Sequence, residues 1–92
     1  MKNLFDIKGK VIVITGGCGI LGKNIANYLA EQGAKIVVLD RAAEIGKELE
    51  AELNQKSEAL FLVTDVLNKE VLEENKKAIL ERFGTIDVLL NA

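Results

Sequence analysis

An α/β fold on a parallel sheet is predicted by three features of this sequence. Four short runs rich in branched apolar residues, Lys10 to Thr15, Lys35 to Asp40, Ala59 to Val63 and Ile86 to Leu90, alternate with three segments of helical period. Each run is apolar almost throughout, whereas a strand with one wet face alternates. The first run breaks into a glycine-rich turn, Thr15-Gly16-Gly17-Cys18-Gly19-Ile20-Leu21-Gly22, that leads directly into a helix. Near-continuous apolar strands joined by helices need cover on both sheet faces, which is the doubly wound arrangement.

In chain order, the first strand, Lys10 to Thr15, precedes a helix from about Ile20 to Gln32. Ile20, Leu21, Ile25 and Leu29 share one face of that helix, and Gly33 is placed to stop it. After the strand Lys35 to Asp40, a second helix starts at about Ala42 and carries Ile45, Leu49 and Leu53 at four-residue steps. The strand Ala59 to Val63 follows. A third helix has Asn68 as N-cap, an apolar stripe of Val71, Leu72, Ala78 and Ile79, and Gly84 just past its end. Ile86 to Leu90 forms the fourth strand.

Crossovers between parallel strands are right-handed, so strands two and three stepping outward from strand one put the first two helices on one face. The third helix must cross back to the other face. Strand four then lies beside strand one, giving the order 3-2-1-4 and a switch point at the carboxyl ends of strands one and four, where ligands bind in such sheets. A full sheet of this type has six strands, while residues 1–92 supply four, so the chain reads as a single segment of a larger fold or one that needs a partner. Strand four should present an apolar edge, and one sheet face should be covered by a single helix.

Composition removes several function classes. Hydrophobic residues make up 49% of the 92 and charged residues 28%, with no proline, so the chain is globular rather than disordered. Twelve Lys and Arg interleave with fourteen acids for a net charge of -2, which leaves no basic face for nucleic acid. One cysteine and no histidine exclude an internal disulfide and most zinc sites and point to a reducing compartment, with the cytoplasm expected. The start, Met1-Lys2-Asn3-Leu4-Phe5-Asp6, lacks a signal peptide's apolar stretch, and no run approaches the ~18 apolar residues of a membrane span.

The glycine turn is the chemical signal. Glycines leave no side chain between backbone and ligand, and the following helix directs unpaired N–H groups and a positive dipole end at an anion. Two nucleotide motifs fit. Gly17 to Lys23 satisfies the G-x-x-x-x-G-K of a P-loop, but that motif next requires a Ser or Thr hydroxyl for magnesium, and Asn24 stands there. The dinucleotide-binding, Rossmann-type reading assigns Gly16 to the tight turn, Gly19 to close approach of pyrophosphate and Gly22 to packing of helix on strand, with Gly17 adding freedom and Cys18, Ile20 and Leu21 completing the cradle. Asp40 ends strand two 18 positions after Gly22, near the ~20 expected of an acid that accepts from the adenosine ribose hydroxyls. Its charge would repel a 2'-phosphate and favours NAD, while the neighbouring Arg41 could accommodate NADP.

With these residues the chain resembles the N-terminal third to half of a short-chain dehydrogenase/reductase, over its whole length. Thr64-Asp65-Val66 after strand three is similar to the family's Asp-Val element, which implies that the Asp65 carboxylate meets the adenine amino group and the Val66 backbone meets the ring. Phe83-Gly84-Thr85-Ile86-Asp87-Val88-Leu89-Leu90-Asn91-Ala92 resembles the approach to the family's Asn-Asn-Ala-Gly strand end, with Asn91 at its first position and Ala92 replacing the second Asn. The glycine spacing, T-G-x-x-G-x-x-G, departs from the commoner T-G-x-x-x-G-x-G and matches the family's extended branch, whereas the long third helix and the Phe-Gly-Thr-Ile-Asp turn match the single-domain branch. Within the latter, Phe5-Asp6-Ile7-Lys8-Gly9-Lys10 with Gly-Gly-Cys-Gly-Ile-Leu-Gly is similar to sugar-acid reductases of the D-mannonate oxidoreductase type.

The resemblance implies an NAD(P)-dependent oxidoreductase that acts on a carbonyl or alcohol and is a homo-oligomer when complete. Its catalytic Ser and Tyr-x-x-x-Lys are not in this chain: Tyr28 is followed four places on by Gln32 and is read as a helix-surface residue, and Ser57 lies in a polar stretch. Cofactor binding without turnover is therefore expected. Cys18 stands near a helix N-terminus, where a thiolate is stabilised, but without a resolving cysteine it is read as a turn position. Lys23, in an exposed first turn, is read as solvated.

Overall fold

Residues 6–92 are described by a computed structural model; the opening residues 1–5, and with them Phe5 of the opening motif, lie outside the described residues. The elements follow in the order β1 (Val11–Thr15), α1 (Ile20–Glu31), β2 (Lys35–Asp40), α2 (Ala43–Asn54), β3 (Ala59–Val63), α3 (Lys69–Phe83) and β4 (Val88–Asn91). All strand pairs are parallel and the sheet order is β3-β2-β1-β4, as the crossover argument predicts. Registers such as Val13 opposite Val37 and Leu89 bring the carboxyl ends of β1, β2 and β4 to one edge. The turn and Asp40 therefore meet at that edge.

The two faces carry two separate cores. Ile12, Ile14, Ile36 and Val38 point to the face covered by α1 and α2, where they pack with Ala26, Ala30, Leu49, Leu53 and Phe61. Val11, Val13, Val37 and Leu39 point to the opposite face and pack with Ile79 of α3. Because the central strands are buried on both sides, they could not alternate apolar with polar residues. On the second face α3 is alone, and an apolar groove of about 390 Å³ opens between it and β4, lined by Val13, Leu39, Leu72, Ile79, Ile86 and Leu89. The exposed apolar edge expected of strand four is present at Val88 and Leu89, although β4 starts two residues later than the pattern suggests.

Helix α1 corrects the expected face. Gly22, Ala26 and Ala30 are its buried residues, Ile25 and Leu29 flank the core, and Ile20 and Leu21 at its start are 84% and 65% exposed. The reason is distance: a small-residue stripe lets the helix axis come close to the sheet, and larger residues are then displaced to the flanks. In α2, Leu49 and Leu53 are buried as expected while Ile45 is exposed, and Gly46 takes the inward position facing Phe61. In α3, Asn68 caps the helix by accepting from the N–H groups of Glu70 and Val71 at 3.0 and 3.2 Å, and Gly84 closes it in a left-handed conformation. Its stripe also holds a polar residue. Asn75 is buried and donates to Thr64 Oγ1 at 2.7 Å, while Thr64 donates to the Leu62 carbonyl, so both polar side chains are satisfied.

Two further ties hold the ends of the elements. Asp87 Oδ2 accepts from the Val11 N–H at 2.8 Å while the Asp87 N–H donates to the Val11 carbonyl, which locks the entry of β4 to that of β1. A Cβ at Gly46 would fall within the Phe61 ring, so α2 can approach β3 only with glycine there. Gly46→Ala should therefore lower stability by about 1–3 kcal/mol through overpacking, measurable as a lower urea midpoint. An unchanged midpoint would mean that the ring moves aside freely.

Candidate functional site

The turn between β1 and α1 is shaped by what its glycines allow. Gly16 has φ 72°, a left-handed conformation, and a Cβ there would also come within 2.9 Å of the Ala92 carbonyl oxygen. Gly22 lies so close under the turn that a Cβ would meet Gly17 Cα at 2.7 Å and the Gly16 carbonyl oxygen at 2.8 Å. Gly17 has no positive φ; its lack of a side chain makes room for Val38 Cγ1, 2.8 Å from an added Cβ, so packing against β2 rather than backbone freedom explains it. Gly19 differs from all three. It is extended, at φ -72° and ψ 167°, and an added Cβ would find only the Gly16 carbonyl oxygen at 3.8 Å, so the space above it is open.

Helix α1 starts at that open position without a cap. No side chain accepts from its first N–H groups and no acid lies in its first turn. Asn68 caps α3, which also has Glu70 in its first turn, while α2 lacks a side-chain cap but carries Glu44 in its first turn, so α1 alone of the three helices has neither cap nor acid. Uncapped N–H groups and the helix dipole leave a site that favours an anion.

Asp40 lies beside this end. Its Oδ2 accepts from the Cys18 N–H at 3.0 Å and its Oδ1 from the Ala42 N–H at 3.0 Å, so the carboxylate braces the turn against the entry to α2. The Gly16 N–H meanwhile donates to the Leu39 carbonyl at 2.9 Å, a second tie between turn and β2. Two such hydrogen bonds leave acceptor capacity on a carboxylate, which offers about four lone-pair sites.

Of the residues singled out from sequence, the fold gathers Gly16, Gly17, Cys18, Gly19, Ile20, Leu21, Gly22 and Asp40 at the ends of β1 and β2. Asn91 ends β4 beside them, and its Oδ1 accepts from Thr15 Oγ1 at 2.6 Å. Arg41 is exposed immediately after Asp40. Asp65 and Val66 lie past the end of β3, both exposed, with Asp65 Oδ1 accepting from the Leu67 N–H at 3.0 Å in a local turn. The Asp40 to Cys18 brace and the Thr15 to Asn91 bond escaped the sequence argument, since each joins residues far apart in the chain. The threonine preceding the first glycine was the one available signal.

Cys18 does not behave as a helix-terminus thiolate. Burial raises its pKa, the Asp40 carboxylate raises it further, and Lys23 offsets part of this. The thiol therefore stays protonated above the pH at which an ordinary cysteine ionises. Alkylation of Cys18 by iodoacetamide at pH 8 should be slower in the folded chain than in the urea-unfolded chain, and Asp40→Asn should speed the folded reaction severalfold by removing a charge that opposes ionisation. Equal rates in the native and Asp40→Asn chains would show that the carboxylate does not influence the thiol.

Comparison with known proteins agrees with this geometry. Residues 10–92 match the family model of the short chain dehydrogenases. An uncharacterized oxidoreductase of Bacillus subtilis, UxuB, is 39% identical over 87 residues, covering 94% of this chain and 31% of its own length. The fluoren-9-ol dehydrogenase of Terrabacter sp. is 30% identical over 86 residues, covering 94% of this chain and 24% of its own. Among solved structures, an NAD+-bound xylitol dehydrogenase superposes with TM-score 0.86 at 36% identity, over 90% of this chain and 32% of that one. A Haemophilus influenza protein with bound NAD, provisionally described as a D-mannonate oxidoreductase, superposes with TM-score 0.86 at 35% identity, over 91% of this chain and 30% of that one. The chain thus spans about a third or less of the length of these relatives. The family model over most of its length places this chain in the short chain dehydrogenase family.

Proposed function

We propose that this chain is the NAD-binding segment of an oxidoreductase that passes hydride between nicotinamide and a carbonyl or alcohol. One observation carries the reading: an uncapped helix start above an open Gly19, with the Asp40 carboxylate beside it. In this reading the N–H groups at the start of α1 receive the pyrophosphate, and Gly19 admits it by leaving the approach clear. Asp40 keeps acceptor sites for the adenosine ribose hydroxyls while holding Cys18 and Ala42. Asp65 and Val66 serve the adenine end, and Asn91, fixed by Thr15, lies at the end of β4 on the same sheet edge. When bound, the nicotinamide supplies the hydride.

Charge favours NAD over NADP. A 2'-phosphate would stand beside the Asp40 carboxylate, and the exposed Arg41 is the residue able to offset that repulsion. The NAD-bound relatives support the same choice, and the resemblance to sugar-acid reductases and a xylitol dehydrogenase suggests a sugar acid or polyol as the substrate class. The catalytic Ser and Tyr-x-x-x-Lys are absent from the chain, so by itself it binds cofactor without turnover; the complete protein would be cytoplasmic and homo-oligomeric. Among the described residues no helix is long and apolar enough to cross a membrane.

Titration of the chain with NADH, followed by nicotinamide fluorescence with NADPH and Mg-ATP as competitors, tests the reading. NADH should bind saturably and resist Mg-ATP, and Asp40→Ala should weaken it about tenfold or more, as expected for charged hydrogen bonds worth roughly 1.5–3 kcal/mol. Stronger competition by Mg-ATP than by NADPH would favour phosphotransfer chemistry instead. Gly19→Val separates binding from folding: its Cβ enters open space, so the chain should stay folded, and NADH binding should be abolished. The melting temperature should be lowered by no more than about 4–8 °C, for the roughly 1 kcal/mol that valine loses to glycine at a helix N-cap. Retained binding by Gly19→Val would remove Gly19 from the pyrophosphate path.

A further inference from the structure

Strand β3 lies at the outside of the sheet, paired on one side with β2. The Glu58 carbonyl accepts from the Ile36 N–H and the Thr64 N–H donates to the Asp40 carbonyl. Alternate residues of a strand point their backbone groups to the same side, so Ala59, Phe61 and Val63 direct theirs outward. An open row of this kind is a template for another strand. The segment itself, Ala59-Leu60-Phe61-Leu62-Val63, has no charge and no proline, the composition that favours strand addition.

Half of the row is covered. Asn54 accepts from the Ala59 N–H through Oδ1 at 2.9 Å and donates through Nδ2 to the Ala59 carbonyl at 3.0 Å. Glu50 Oε2 accepts from the Phe61 N–H at 2.6 Å. Gly46, Glu50 and Asn54 follow at four-residue steps along one side of α2, and Gly46 lets that side settle against the Phe61 ring. Three of the outward backbone groups are thus taken by side chains from one helix, while Val63 beyond them is 56% exposed.

We propose that Glu50 and Asn54 close the outer edge of β3 against pairing with β3 of a second copy of this chain. A second copy is the occupant the edge fits, because it brings the same uncharged segment and the same spacing of backbone donors and acceptors. Neither residue takes part in the proposed cofactor site, so this inference stands or falls separately from it.

Hydrogen exchange on the unaltered chain is the first test. Ala59 and Phe61 amides should exchange at least tenfold more slowly than that of Val63, whose outward N–H has no side-chain acceptor among the described residues; equal rates would overturn the proposal. Sedimentation velocity over a concentration series is the second. Glu50→Gln, which keeps an acceptor, should sediment like the unaltered chain, and Glu50→Ala/Asn54→Ala should shift to larger species as concentration rises. Adding Val63→Pro, which removes an outward N–H but no bond to β2, should reverse the shift. Unchanged sedimentation of the folded double variant, or a shift that Val63→Pro leaves in place, would overturn the closure. Should the double variant not fold, Glu50→Ala alone, which frees only the Phe61 N–H, is read in the same way.

Discussion

The approach of Gly22 to the backbone of Gly16 and Gly17 sets the geometry on which the carboxyl edge of the sheet depends. With 2.7 Å between an added Cβ and Gly17 Cα, no side chain fits between helix and turn. The first turn of α1 therefore rests directly on the loop leaving β1, and its N–H groups come to the end of the strand instead of to one side. The stripe continues through Ala26 and Ala30, which keeps the whole helix close to β1 and β2. A larger residue anywhere along it would lift the helix and with it the anion-favouring end. Small residues here do structural work that places a binding surface.

That constraint makes Asp40 more than the last residue of a strand. Its two carboxylate oxygens reach the N–H of Cys18 in the turn and of Ala42 at the entry to α2. In the proposed reading, the group that would accept from a ribose also holds the loop that would receive the phosphate. Recognition and shape would then be coupled through one side chain, and the raised pKa of Cys18 is a local consequence of the same placement, since burial and a nearby negative charge both oppose ionisation of the thiol.

The two sheet faces are unequal in a way that follows from chain order. Two helices return on the face to which Ile12, Ile14, Ile36 and Val38 point, and one returns on the opposite face, beneath Val11, Val13, Val37 and Leu39 of β1 and β2. Right-handed crossovers permit no other division for the order β3-β2-β1-β4. The first face is closed by Leu49, Leu53 and Phe61, whereas the second keeps an apolar groove beside α3. The sheet edges differ as well: α2 side chains occupy three of the outer backbone groups of β3, and β4 stands open with Val88 and Leu89 exposed.

Periodicity in the sequence alone determined the strands, the helices, the caps at Asn68 and Gly84, the strand order and the position of the glycine turn. These are local properties, legible because a strand repeats every two residues, a helix every 3.6, and crossover handedness has one sign. The faces of α1 and α2 were misjudged where large apolar residues outvoted small ones, because hydrophobicity says nothing about how near a helix can come to a sheet. Gly17 and Gly46 belong to the same class: each is small on account of a partner, Val38 or Phe61, from another element. The bonds from Asp40 to Cys18, Thr15 to Asn91, Asn75 to Thr64 and Asp87 to Val11 join positions 11 to 76 residues apart. No spacing rule reaches across such distances. Only the tertiary structure decided them, since a hydrogen bond between remote residues exists only once the sheet has brought its strands into register.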